Sequence, residues 1–143
     1  CLNAAKNAYT AAKAHPEMYA PNQEYGGGGA YSDDTVTDEF YWAACELYAS
    51  TGDESYYTDL QSADFAFQIS SDMSGGEAAS GMPGSFDWGH TAALGSMTLL
   101  LHDGLTAEEA DKLKASLTET ADYYLHLEEK QPGAGQESLS VDP

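Results

Sequence analysis

The chain has 143 residues, enough for one domain with a sizeable core, and 42% of them are hydrophobic. It carries 24 Asp and Glu against 5 Lys and Arg, a formal charge of −19. Such a surface repels phosphate backbones and anionic membranes, so neither nucleic acid nor a membrane is an expected partner, whereas divalent cations and neutral substrates such as polysaccharides remain compatible.

No apolar run approaches the ~20 residues that span a bilayer, and no leader peptide is visible. The opening at Cys1 and the ending in Leu139-Ser140-Val141-Asp142-Pro143 read as the borders of a piece of a longer protein. Cys1 and Cys45 form neither a disulfide framework nor a metal-ligand spacing. Cys45, among Ala44, Leu47 and Tyr48, reads as a buried free thiol.

The hydrophobic pattern is helical throughout, so the expected fold class is all-α. Leu2, Ala5, Tyr9 and Ala12 share one face of a first helix that ends before His15-Pro16, because a residue preceding proline avoids helical geometry. Residues 16–34 read as a long loop, broken by Pro21, Gly26 to Gly29 and Ser32-Asp33-Asp34. A loop of that length in a compact domain is usually functional or tied down.

A second helix is expected from about Val36 to Ser50. Thr35 with Asp38 three positions on resembles an N-terminal cap, and Asp38-Glu39 suit the positive helix end. Phe40, Ala44, Cys45 and Leu47 face inward, and Tyr41, Trp42 and Tyr48 widen the apolar band, with Trp42 read as core. Thr51-Gly52 stops this helix and Asp53 caps a third, with Tyr56, Leu60, Ala63 and Phe67 at helical spacing. Residues 70–86 read as a second long loop.

A fourth helix is expected from near Trp88 to Leu101, almost without a polar face and therefore central. Thr106-Ala107-Glu108-Glu109 is a capping box. It opens a fifth helix with Ala110, Leu113, Leu117, Ala121, Tyr124 and Leu125 inward, and beyond Lys130 the chain turns to Pro, Gly and Ser. Short joints alternate with long ones. That alternation suggests paired antiparallel helices with both long loops gathered at one end as a recognition face.

Five pieces in this order, Gly26-Gly27-Gly28-Gly29-Ala30-Tyr31, Asp38-Glu39-Phe40-Tyr41-Trp42-Ala43-Ala44, Thr51-Gly52, Phe86-Asp87-Trp88-Gly89 and Leu94-Gly95, resemble the middle of a glycoside hydrolase family 9 cellulase. The similarity covers essentially the whole chain, and the Asp-Glu-x-x-Trp-Ala-Ala block is its most specific part. The resemblance implies an (α/α)6 barrel with a cleft across one end. It makes residues 1–143 an internal segment of one catalytic domain, with the remainder of that domain as a partner. It also implies a secreted, extracellular enzyme that cleaves β-1,4-glucan with inversion, using two carboxyls far enough apart to admit a water. The family's Asp-Ala-Gly-Asp general-base motif and its late Asn-Glu general acid do not occur here, so no catalytic residue is expected in this chain.

What the resemblance does place here is a structural calcium site. Asp38 and Glu39 would supply side-chain oxygens and the backbone at Asp34 and Thr35 carbonyls. Asp87 would complete the set, although the family acid usually follows the tryptophan and Gly89 stands there instead. Calcium takes six to eight hard oxygens, so acids beside a glycine-rich loop are chemically apt. The plainer reading is that Asp38 and Glu39 only stabilise the helix dipole. Tyr31 and Trp88 are the candidate sugar-stacking aromatics, and His90 a candidate partner for a substrate hydroxyl. Each also has a plainer reading: Tyr31 as a loop anchor, Trp88 as a helix-start core residue and His90 as a satisfied structural histidine. Two other classes remain open: a non-catalytic helical carbohydrate-binding or assembly domain on the same scaffold, and another polysaccharide-acting enzyme on an (α/α) toroid.

Overall fold

The computed structural model describes residues 1–19, 35–69 and 90–130, with side chains up to residue 126. Tyr31, Asp34, Asp87 and Trp88 lie outside the described residues. Among the described residues there are five helices, α1 (Leu2–Ala14), α2 (Thr37–Thr51), α3 (Glu54–Gln61), α4 (Ala92–Leu100) and α5 (Ala107–Lys130). The described residues form an all-α array, and none of their helices is long and apolar enough to cross a membrane.

Local chemistry sets most of the boundaries. α1 ends at Ala14, before His15 and Pro16. Gly52 closes α2 in the left-handed conformation at φ 66°, its N–H bonded to Tyr48 O at 2.8 Å. Asp53 caps α3 by accepting from Ser55 N–H at 3.0 Å. The Thr106–Glu109 box forms as expected, with Glu109 Oε2 accepting from Thr106 N–H at 2.9 Å and Thr106 Oγ1 accepting from Glu109 N–H at 3.3 Å.

The helices pair as hairpins. Tyr41 packs on Phe65 while Tyr48 packs on Tyr57, so α2 and the chain through α3 run antiparallel. Asp38 bonds Thr91, Tyr41 bonds Ser96, Glu46 bonds Thr98 and Tyr48 bonds Gly104. Both numbers rise together along that series, so α2 and α4 run parallel. Tyr57 meets Glu109 and Ile69 meets Ser116, which sets α5 parallel to the α3 stretch. Both short joints therefore lie at one end. Thr35, Ile69 and His90 lie at the opposite end.

The core gathers Tyr41, Ala44, Cys45, Leu47 and Tyr48 of α2 with Leu60, Ala92, Ala93, Leu99 and Leu113. Gly95 of α4 makes the close approach possible: a Cβ there would stand 3.0 Å from Cys45 Sγ and 3.0 Å from Trp42 Cα.

Several elements depart from the periodicity. α3 stops at Gln61, so Ala63 and Phe67 lie beyond it, and Phe67 takes the left-handed conformation at φ 57°. Its N–H is bonded by Tyr41 Oη at 3.1 Å, a long-range partner that no local rule anticipates. α4 begins at Ala92 rather than near Trp88. Leu101 is 89% exposed at its end, and Leu125 of α5 is 59% exposed. Ala121 is exposed as well, while Thr120 beside it is buried because its hydroxyl bonds Ile69 O. Trp42 is only half-buried: its indole N–H reaches Glu46 Oε1 at 3.1 Å on the open side of α2.

Candidate functional site

The end of the array that carries Thr35, Ile69 and His90 also holds Asp38 and Glu39, which with Thr35 are the described residues among those singled out as metal ligands. Asp38 is in the first turn of α2 and is 3% exposed. It does not take part in a cap with Thr35. The Thr35 hydroxyl instead pairs with Thr37 Oγ1 at 2.9 Å and accepts from Thr37 N–H at 3.3 Å. The Asp38 carboxylate turns inward to Thr91, the residue before α4, where Oδ2 accepts from the N–H at 2.6 Å and from Oγ1 at 3.1 Å. Oδ1 is buried without a hydrogen-bond partner among the described residues.

Glu39 follows on the next face of α2, half-buried. It borders an apolar groove of about 810 Å³ between α1 and α2, lined among others by Tyr9, Val36, Phe40 and Ala43. The two adjacent acids thus serve different surroundings. Thr35 is exposed, just ahead of α2. His90 is half-buried and directly precedes Thr91, which places it next in sequence to the residue that holds Asp38. No group of three or more His, Cys, Asp or Glu side chains gathers as a metal cluster among the described residues.

Donor chemistry offers a sharper test of a cation. A carboxylate oxygen buried with no partner is costly, and Oδ1 of Asp38 is such an atom, hard and anionic. That suits a calcium ion, which takes oxygen donors of this type. Among the described candidates, Asp38 fits by burial and by its unmatched oxygen, and Thr35 fits only through position.

Sequence reasoning missed Thr91. The signal was present, a hydroxyl residue immediately before the apolar run Ala92-Ala93-Leu94, which is where a helix N-cap is expected. Starting the helix at Trp88 concealed it. Its hydroxyl does not cap α4, which has no side-chain cap bond, because it is engaged by Asp38.

A second polar assembly holds the stretch just before Ile69. Tyr41 Oη accepts from Phe67 N–H and lies 3.0 Å from Ser96 Oγ, which donates to Gln68 O at 2.7 Å. The single Ser96 proton is therefore used, so Tyr41 donates to Ser96. Burial pushes the Tyr41 phenol well above the ordinary tyrosine range, which keeps it a donor.

Comparison with known proteins identifies the scaffold. The sequence matches the model of glycosyl hydrolase family 9 over residues 1–140. The chain belongs to this family. Its helices are those of a portion of the (α/α)6 barrel. It is 40% identical over 139 residues to a cellulose 1,4-beta-cellobiosidase of Acetivibrio thermocellus, covering 92% of this chain and 16% of that protein. It is 36% identical over 145 residues to endoglucanase C of Cellulomonas fimi, covering 99% of this chain and 12% of that protein. A xyloglucan-specific endo-beta-1,4-glucanase of Bacteroides ovatus is 37% identical over 144 residues, covering 92% of this chain and 22% of that protein. The family 9 chain thus spans less than a quarter of the length of these relatives.

Proposed function

We propose that the protein carrying this chain is a secreted cellulase that hydrolyses β-1,4-glucosidic bonds of cellulose and related glucans with inversion, and that this chain is an internal part of its catalytic domain. The observation behind this reading is the family 9 match over residues 1–140, joined by relatives named for cellulose and β-1,4-glucan cleavage. The chain's role is then scaffold and cleft wall, while the two catalytic carboxylates come from other parts of the protein. Tyr31 and Trp88 stack on glucose rings and His90 bonds a substrate hydroxyl. Stacking suits neutral sugar, whose ring faces are apolar.

The structural ion in this proposal is calcium. Asp38 and Glu39 would hold it by carboxylate oxygens, Asp34 and Thr35 by carbonyls, and Asp87 by its carboxylate. The unmatched Asp38 Oδ1 supports this assignment. When bound, the ion would supply charge that fixes the starts of α2 and α4 on this side of the array, with no part in bond cleavage.

The test is an assay of the intact protein on cello-oligosaccharides with NMR of the fresh product. An α-anomer released first supports inversion. A well-folded protein that binds glucan but cleaves none would overturn the enzyme reading in favour of a carbohydrate-binding domain. A loss of kcat/KM in Trp88→Ala checks the cleft assignment, and recovery of the protein from culture medium checks export.

A further inference from the structure

Asp38 and Thr91 are separated by 53 residues in sequence, yet they form a buried pair. Asp38 is 3% exposed and Thr91 8%. An ionised carboxylate offers about four acceptor directions on two oxygens. Here both donors of one residue, main-chain N–H and hydroxyl, go to the same oxygen, Oδ2. The other oxygen is buried with no protein donor among the described residues. A carboxylate needed only to tie α2 to α4 would be better satisfied by sharing the two donors between its oxygens, since each buried oxygen left bare carries a desolvation cost.

We propose that Thr91 is the positioning residue of a cation site at Asp38. By holding Oδ2 from two directions it fixes the carboxylate plane and leaves Oδ1 for a hard divalent cation. This inference rests on the calcium reading above and extends it to a residue that makes no contact with the ion. Partners that orient a ligating side chain commonly matter about 10- to 100-fold in metal affinity. The arrangement also joins cation binding to the start of α4, because the donor N–H belongs to the residue before Ala92.

The test uses the intact protein stripped with EDTA, titrated with calcium chloride by calorimetry and melted with and without calcium. Thr91→Val removes the hydroxyl at constant shape, and Thr91→Ser keeps it. The expected result is a fall in calcium affinity of about 10-fold or more in Thr91→Val, near wild-type affinity in Thr91→Ser, and loss of binding in Asp38→Asn. The calcium-induced rise in Tm should be smaller in Thr91→Val than in Thr91→Ser, over and above the fall in the EDTA Tm that losing a buried hydrogen bond to a carboxylate brings. A purely structural bond would lower both melting temperatures alike. Should Thr91→Val not fold, Thr91→Ala removes the same hydroxyl and reads the same titration. Wild-type affinity in the hydroxyl-less variant, with binding lost in Asp38→Asn, overturns the positioning role alone. Equal weakening in the Val and Ser variants overturns it too, since the hydroxyl would then not be the cause. Unchanged binding in Asp38→Asn overturns the calcium reading beneath it.

Discussion

Ser116 Oγ of α5 stands between both main-chain groups of Ile69, accepting from its N–H at 2.8 Å and donating to its carbonyl at 2.8 Å. One hydroxyl does here what a neighbouring strand would do for an extended residue. Thr120 Oγ1 adds a second donor to the same carbonyl at 2.8 Å, and Lys112 Nζ reaches Ala66 O at 3.2 Å. With the Tyr41–Ser96 pair on the other side, the four residues from Ala66 to Ile69 are gripped from α2, α4 and α5. That grip keeps Phe67 at φ 57°, a conformation that L side chains adopt at a cost.

Ser116→Ala should lower stability by about 1–3 kcal/mol, because it strands the buried Ile69 N–H. Chemical denaturation of the intact protein measures this, and Thr120→Ala should cost less, since Ser116 still serves the carbonyl. Equal effects would show that the amide bond does not dominate.

Gly95→Ala should also destabilise. Alanine raises helix propensity by roughly 1 kcal/mol over glycine, but the new Cβ would meet Trp42 Cα at 3.0 Å, Cys45 Sγ at 3.0 Å and Tyr41 Cε1 at 3.2 Å. A backbone atom cannot step aside, and overpacking of this type costs about 1–3 kcal/mol. The clash wins, so thermal melting should show a net loss. Adding Cys45→Ala should not restore stability, because the Trp42 contact remains.

Glu109 should give the protein an acid-sensitive component. Burial alone would raise its carboxyl, but hydrogen bonds from Tyr57, from Thr106 N–H and hydroxyl and from Gln61 outweigh it and hold it below the ordinary value of 4.5. A group depressed in the folded state adds stability above its unfolded value, and that stability is lost as pH falls through the folded value. Melting temperature followed downward from pH 4.5 should therefore drop more steeply in wild type than in Glu109→Gln. The variant should already be weaker at neutral pH by on the order of 1 kcal/mol, as bonds to a charged acceptor are lost. Parallel curves for the two proteins would remove Glu109 from the acid response.

Cys45 should be chemically silent in the native protein. Burial pushes its thiol up to about 12, so the nucleophilic thiolate is scarce under mildly alkaline conditions. Mass spectrometry after iodoacetamide should find it unmodified until denaturant is added. Alkylation at the rate of a free thiol in the folded state would contradict the packing against Gly95.

What could be read from the sequence was what neighbours in sequence decide. The His15-Pro16 stop, the Gly52 termination, the Asp53 cap and the Thr106–Glu109 box each depend on residues within a turn of one another, and each is present. The alternation of joint lengths also forecast the hairpins. The end of α3 was not legible, because Phe67 continues the helical spacing while Tyr41, 26 residues away, holds it in another conformation. Leu101 and Leu125 satisfied the pattern but face outward. At the candidate site, Asp38 was legible as an acid opening a helix. Its turn toward Thr91 was not, because that bond depends on α2 and α4 lying side by side.

The bonds along α2 and α4 connect residues 53, 55, 52 and 56 apart. Such a nearly constant offset sets α2 and α4 side by side in one register, with no repeated motif to announce it. That register is stored in the side chains that pass between the two helices and their ends. One residue inserted near the start of α4 would misalign the pairs that follow it. A change of length is thus unforgiving within either helix, where every later contact inherits the shift.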